Sequence, residues 1–170
     1  MAQTSVTEYR ARDIQGQIIN PTEAVTEVRI VDDSDNITAG LTVVQSTADI
    51  DVALPDAAFT KAEFQGIAVW DGVDREKALS TGINTYEDDS PITLLLEGVT
   101  AVPVTDTVSK NGTVFFVHTT GGASTKHTYR SDLDTDKASE IPAYYLEDGT
   151  TGNLVRIRVS KKAGLGSLLT

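Results

Sequence analysis

Cysteine is absent from the 170-residue sequence, and histidine occurs only twice, as His118 and His127. Without cysteine the chain has no disulfides, no thiolate catalysis and none of the zinc or iron–sulfur sites that use thiolate ligands. Two histidines are also too few for a metal centre built from several imidazoles. We therefore predict that the protein uses no cofactor.

Basic residues are scarce, since 14 lysines and arginines face 25 aspartates and glutamates and the formal net charge is −11. Binding to a nucleic-acid backbone rewards clustered lysine and arginine, and so does binding to an anionic membrane surface. The charge therefore argues against both partners, and it suits a protein partner that carries basic patches.

Long hydrophobic runs are missing as well. The opening segment MAQTSVTEYRAR lacks the apolar stretch of a secretory signal. The most apolar run, ITLLLEGVTAVPV, is interrupted by Glu97 and Pro103, so it is too short to span a bilayer. We expect neither a signal peptide nor a membrane span.

The sequence does contain many short stretches with the alternating pattern of β-strands, separated by glycine, asparagine and aspartate. In 153–160, for example, Val155, Ile157 and Val159 alternate with more polar residues. A sustained helical period is missing. This pattern predicts an all-β protein with a compact sandwich or barrel body. The predicted strands are 13–19, 24–32, 39–46, 63–70, 91–98, 100–104, 113–119, 126–131 and 153–160.

Four local features refine this prediction. Gly66 lies inside a strand pattern and predicts a bulge or a close backbone contact. Glu97-Gly98 is predicted to separate two short strands. Helical structure is expected only as single turns. One would follow Asp56 over 57–59, unless the stretch 47–62 is a linker between an N-terminal layer and the body, and one would lie over 75–79.

The chain is expected to contain one domain, or one domain with a smaller appendage. We predict a soft domain boundary near residue 60. Residues 1–59 would form an extended N-terminal arm, polar over 1–13, and a small β-layer. Residues 60–170 would form the body and a short C-terminal tail.

The segment VSKNGTVFFVHTTGGAST (108–125) is the strongest candidate for an active site. Asn111-Gly112 and Gly121-Gly122 fit hairpin turns, and the spacing of a phosphate-binding loop is missing. A catalytic His118 would need an activated nucleophile and an orienting carboxylate, and no serine elbow motif supplies the first. We interpret both histidines as surface or cross-strand residues, and the protein as a non-enzyme.

Acidic clusters raise the question of calcium. Asp132, Asp134 and Asp136 alternate like the ligands of a calcium loop, but Lys137 stands where such a loop needs glycine. Solvated acidic loops are the favoured interpretation, and a weak calcium site in 132–136 stays open. Paired carboxylates also occur in glycosidases, but aromatic residues make up only 6% of the chain and offer little to stack against a sugar.

The two ends of the sequence carry candidate partner-binding residues. Tyr9, Arg10 and Arg12 are residue types enriched at interface hot spots, and they lie in the polar arm. Lys161 and Lys162 form the densest basic pair of an acidic chain. They precede AGLGSLLT, a segment with three leucines that either docks on another chain or stays disordered.

The order of these elements resembles the capsid cement, or decoration, proteins of tailed bacteriophages. The resemblance covers residues 60–160, and Ala143 and the acidic EDDSP segment after Tyr86 depart from the family pattern. It rests on a Phe-x-Gly-Ile strand, a tyrosine segment, a glycine-containing hairpin, and a glycine turn before a further strand. The matching positions are Phe64, Gly66, Ile67, Tyr86, Leu96, Gly98, Val102, Val104, Gly112, Val114 and Val117.

The resemblance implies a non-enzymatic protein on the outer surface of a virion, made in the cytoplasm of the bacterial host. It would be a homo-oligomer, dimeric or trimeric, that binds the major capsid protein and cements neighbouring capsomers against the pressure of the packaged DNA. Two alternatives stay open from the residues alone. One is a β-rich adhesin, tail-fibre or carbohydrate-binding module, and the other is a hydrolase that uses His118 or the acidic loops.

Overall fold

A computed structural model describes residues 14–34, 36–70, 85–121 and 125–160. In these ranges the chain forms short 3-10 helices at Pro21–Glu23 and Lys61–Glu63, and no helix is long and apolar enough to cross a membrane. The strands are β1 (Val25–Val31), β2 (Ile37–Thr38), β3 (Thr42–Gln45), β4 (Asp51–Ala53), β5 (Phe64–Ala68), β6 (Thr85–Tyr86), β7 (Pro91–Pro103), β8 (Thr113–Val117), β9 (Tyr129–Arg130), β10 (Ala138–Tyr145) and β11 (Leu154–Ser160).

Strand β7 organises the sheet because it is paired along both of its edges. Leu95 pairs with Thr26 of β1 and with Ile67 of β5, so β1 and β5 lie on opposite edges. Glu97 pairs with β1 and also with Ser160 of β11. Strand β11 therefore lies on the same edge of β7 as β5, one strand after the other.

The strand pairings close into two rings that share β7. In the first ring β1 pairs with β7 and, in parallel, with β4, and the order continues through β3 and β5 back to β7. In the second ring β11, β10, β8 and β9 follow β7, and a parallel bridge from Val104 to Tyr129 returns β9 to the end of β7. The prediction of an all-β protein with a compact β-rich body is confirmed.

The prediction of two strands meeting at Glu97-Gly98 is wrong, because β7 runs through both residues without a break. Gly98 has φ 139, a conformation that is open to glycine and strained for other residues. A Cβ atom at this position would lie 3.1 Å from Leu95 Cδ1 and 3.3 Å from Ala24 Cα. Gly98 therefore meets a conformational and steric requirement at the point where β7 passes from one ring to the other.

The predicted helical turn at 57–59 is also wrong. Asp56 Oδ1 accepts the N–H of Ala58 at 2.8 Å, which closes an isolated turn, and the 3-10 helix comes after it. That helix begins with a capping box in which Glu63 accepts the Thr60 N–H at 2.7 Å. The turn expected at 75–79 lies outside the described residues, and the boundary near residue 60 stays a prediction.

The interior is one continuous apolar cluster, to which both rings contribute. The alternation predicted for β11 is confirmed, since Val155, Ile157 and Val159 are all buried. Gly66 lies at the predicted irregularity, where the register between β3 and β5 shifts. Tyr129 of the second ring donates its hydroxyl to Gly40 O of the first at 2.8 Å, and its hydroxyl oxygen lies 3.1 Å from that of Thr42. This buried pairing joins the two rings.

The first described residues are held against both rings by a close approach of two glycine backbones. Gly16 donates its N–H to Ala101 O at 2.9 Å and accepts the Trp70 N–H at 3.0 Å. Its φ is 75, and a Cβ atom would lie 2.5 Å from the backbone nitrogen of Gly40. A strand was predicted over 13–19, but the described part of it, residues 14–19, makes one isolated bridge, from Ile18 to Thr100.

Candidate interaction surfaces

The predicted partner-binding residues Tyr9, Arg10, Arg12, Lys161 and Lys162 lie outside the described residues. The described chain does show where both segments join the body. Near the first, Gly16 is bonded to the second half of β7. Before the second, the last residue of β11 pairs with the middle of β7, on the opposite edge.

His118 is buried, so the surface alternative is wrong, and its contact with Ser139 of the neighbouring strand β10 confirms the cross-strand one. It is 3% exposed, and its ring meets the ring of Phe59 edge to face at 6.2 Å. Ser139 Oγ donates to Phe59 O at 2.7 Å and lies 3.3 Å from His118 Nε2. The serine proton therefore points away from the imidazole, and Nε2 is the donor to Oγ. Nδ1 then accepts the hydroxyl of Thr119 at 3.0 Å.

This arrangement stabilises structure and does not activate a nucleophile. A histidine that serves as a base must take the proton of the hydroxyl it contacts, and here that proton binds a backbone carbonyl. His118 instead joins the loop at Phe59 to strand β10 through Ser139. His127 also makes a packing contact, since its ring stacks on that of Phe116 with centroids 6.2 Å apart and 14° between the ring planes.

Burial of His118 predicts a loss of stability in mild acid. Desolvation lowers the pKa of His118 below its ordinary value of 6.5, and the charge of Asp56 opposes this only in part. As the pH falls through about 6.5 the unfolded state binds the proton first, so the free energy of unfolding decreases.

The measurement is urea unfolding at about pH 7.5 and about pH 5.5, comparing the protein with His118→Gln. Glutamine keeps a donor for Ser139 but does not titrate, so the variant is expected to lose less stability between the two pH values. Equal losses for both proteins would contradict the prediction.

The acidic loop between β9 and β10 is organised by an arginine. Arg130 Nε lies 2.8 Å from Asp132 Oδ1, and its Nη1 lies 3.2 Å from Asp134 Oδ2. Asp134, Thr135 and Asp136 all have positive φ, so the loop makes a left-handed turn and the three aspartates do not alternate as in an extended strand. The carboxylates of Asp132 and Asp134 bind a guanidinium here. Within the described ranges no group of three or more histidines and carboxylates is placed to hold a metal ion.

A groove of about 570 Å³ lies beside β3, β4 and the second 3-10 helix, and no sequence motif predicted it. Apolar side chains line it, and Asp56 and Glu63 contribute carboxylates. Leu54, Asp56 and Phe59 belong to residues 47–62, and Glu63 begins the predicted strand 63–70. The alternation of apolar and acidic residues in these segments was the sequence signal that could have indicated the groove. The apolar lining residues are Val44, Ala53, Leu54, Phe59 and Ala62.

A second missed feature is the exposure of apolar residues near β1. Val28 is 65% exposed and Val25 is 46% exposed, both within β1. Ile50, 60% exposed, directly precedes β4, the parallel neighbour of β1. Val25 and Val28 are three residues apart in one strand, so their side chains face opposite sides of β1. The most exposed of the three, Val28, is the candidate for a contact with another protein.

Comparison with known proteins supplies a family. A phage family model described as structural cement protein matches residues 2–160, which extends the match beyond the segment that the sequence motifs covered. Among solved structures, a chain from "The capsid of Myoviridae Phage XM1" has the same fold, with a TM-score of 0.67 and 16% sequence identity. The alignment covers 95% of this chain and 98% of that chain. No curated protein matches the sequence.

Proposed function

The chain belongs to the phage structural cement protein family, and we propose that it binds the outer surface of the assembled head and cements neighbouring capsomers. Family membership makes it a capsid-associated structural protein of the virion, and a structural family implies a non-enzymatic role. The observation that carries the proposal is the family match, which runs through both rings and the segment before them.

The proposed mechanism is thermodynamic. A protein that binds only the assembled shell stabilises that shell by RT ln(1 + [L]/Kd), about 2.7 kcal/mol per site at a hundredfold excess over Kd. Contacts that repeat across the lattice add avidity, because each bound copy holds its neighbours at high effective concentration. Stabilisation of this kind would resist the outward pressure of packaged DNA.

The proposed partners follow from charge and exposure. A net charge of −11 suits basic patches on the major capsid protein and disfavours nucleic acid and membranes. Tyr9, Arg10 and Arg12 are proposed to contact the major capsid protein, and Lys161 with Lys162 is proposed to bind an acidic surface. Val28 of β1 is proposed as part of a contact between copies in a dimer or trimer.

The test is sedimentation of DNA-filled heads. The polypeptide is expected to co-sediment with them in an amount comparable to the major capsid protein, and to be absent from shells that have not expanded. Heads assembled without it are expected to release DNA at a lower temperature. Filled heads that carry none of the polypeptide, or that are equally stable without it, would overturn the proposal.

A further inference from the structure

Strand β11 ends beside the place where β5 begins to pair with β7. Ser160 pairs with Glu97 on one edge of β7, and only two residues further along β7 that same edge is occupied by β5, at Leu95. Two residues of strand correspond to about 7 Å. The β11 pairing therefore cannot continue along this edge of β7 beyond Ser160, because β5 occupies the edge there.

The groove is lined in part by the same strand β5. Gln65, in β5, lines it, and Glu63, which precedes β5, contributes a carboxylate. Phe59 forms part of the apolar lining and Asp56 adds a second carboxylate. Strand β5 thus has the end of β11 beside it on the β7 edge and also contributes to an acidic, partly apolar groove.

The negative charge extends beyond the groove lining. Asp33 accepts the N–H of Leu54 at 2.7 Å, and Asp32 accepts the hydroxyl of Ser46 at 2.5 Å, and both of these donors line the groove. The hydrogen bond from Ser46, and then that from Thr47, lowers the pKa of Asp32. Carboxylates on this surface favour a positively charged occupant.

The ten residues after Ser160 have the composition that such a groove accepts. They read KKAGLGSLLT, with Lys161 and Lys162 first, followed by Leu165, Leu168 and Leu169. Ten extended residues reach about 33 Å, far more than the groove requires. Glycines between the two groups allow the chain to turn back on itself.

We propose that residues 161–170 dock in the groove of their own chain. Lys161 and Lys162 lie against the carboxylates of Asp56 and Glu63, and the leucines cover the apolar lining at Leu54 and Phe59. This deepens the assignment of the lysine pair as binding residues, and it does not depend on the capsid role.

Disulfide trapping in the full chain tests the proposal, because the sequence contains no other cysteine. Gln45→Cys, at the exposed groove lining, is combined with Leu168→Cys. The matched control combines Leu154→Cys with Leu168→Cys. Leu154 is exposed and begins β11, about 20 Å from Ser160 along the strand and still within reach of the segment.

The groove pair is expected to form an intramolecular disulfide at least about tenfold faster than the control, since docking raises the effective concentration. Adding Lys161→Glu and Lys162→Glu, or raising salt, should slow the groove pair and leave the control unchanged. Equal rates for the two pairs would overturn the proposal. Covalent dimers as the main product would also overturn it and assign the groove to a second copy. Both readouts use isolated protein, so failure here leaves the cement role unaffected.

Discussion

Deletion of residues 1–12 is expected to leave a folded protein that no longer decorates phage heads. The deleted segment carries Tyr9, Arg10 and Arg12, the residue types that dominate binding energy at protein interfaces. Hot-spot side chains are worth about 2 kcal/mol or more each, so losing two of them lowers affinity roughly a thousandfold. At ordinary subunit concentrations, occupancy of the heads should fall close to zero.

The body should survive this deletion because the described backbone bonds to both rings begin after it, at Gly16. Urea unfolding checks the fold, and quantitative gels of purified heads measure occupancy. Deletion of residues 2–7 alone, which keeps the aromatic and both arginines, is the matched control and should decorate normally. Normal occupancy by the longer deletion would refute the role of this segment.

Gly16→Ala is expected to destabilise the protein by about 3 kcal/mol or more. The positive φ of 75 alone costs a residue with a Cβ about 1 to 2 kcal/mol, and overpacking adds about 1 to 3 kcal/mol. The added Cβ would lie 2.5 Å from Gly40 N and 2.7 Å from Ala39 Cβ. The backbone at residue 16 cannot shift away from Gly40, because hydrogen bonds to Ala101 and Trp70 hold it on both sides.

Gly152→Ala is the matched control for this substitution. Gly152 has a similar φ of 84, but no atom lies within 4 Å of its would-be Cβ. The free energy of unfolding that Gly152→Ala loses should reflect backbone conformation alone, about 1 to 2 kcal/mol. Urea unfolding gives both free energies, and the difference between the variants measures the close approach of the two glycine backbones. Equal losses would show that this approach relaxes without cost.

Strands with a regular alternation could be predicted from the sequence, and those without it could not. Strand β11 alternates strictly and was predicted within one residue. Strand β10 was missed because it contains Pro142 and because its register against β8 shifts between Glu140 and Tyr144. Proline lacks the N–H of a strand residue, and a bulge that changes the facing of side chains hides the period of two.

The closure of the rings could not be predicted, since it depends on pairings between distant segments. The parallel pairing of β1 with β4 and the bridge from Val104 to Tyr129 leave no local signal. The groove was missed for the same reason, because its lining comes from β3, β4 and the segment before β5. Burial of His118 could have been found, since it shares its face with Phe116 and Val114, both fully buried.

The shared strand β7 has a mechanical consequence for the proposed role in linking parts of a shell. Because β7 is paired along both of its edges, pulling it out of the sheet breaks pairings of both rings together. A pull along β7 acts as shear on the backbone hydrogen bonds at its two edges, so these bonds share the force. Such a strand is expected to resist a pull with little extension and then to separate from both neighbours in one step.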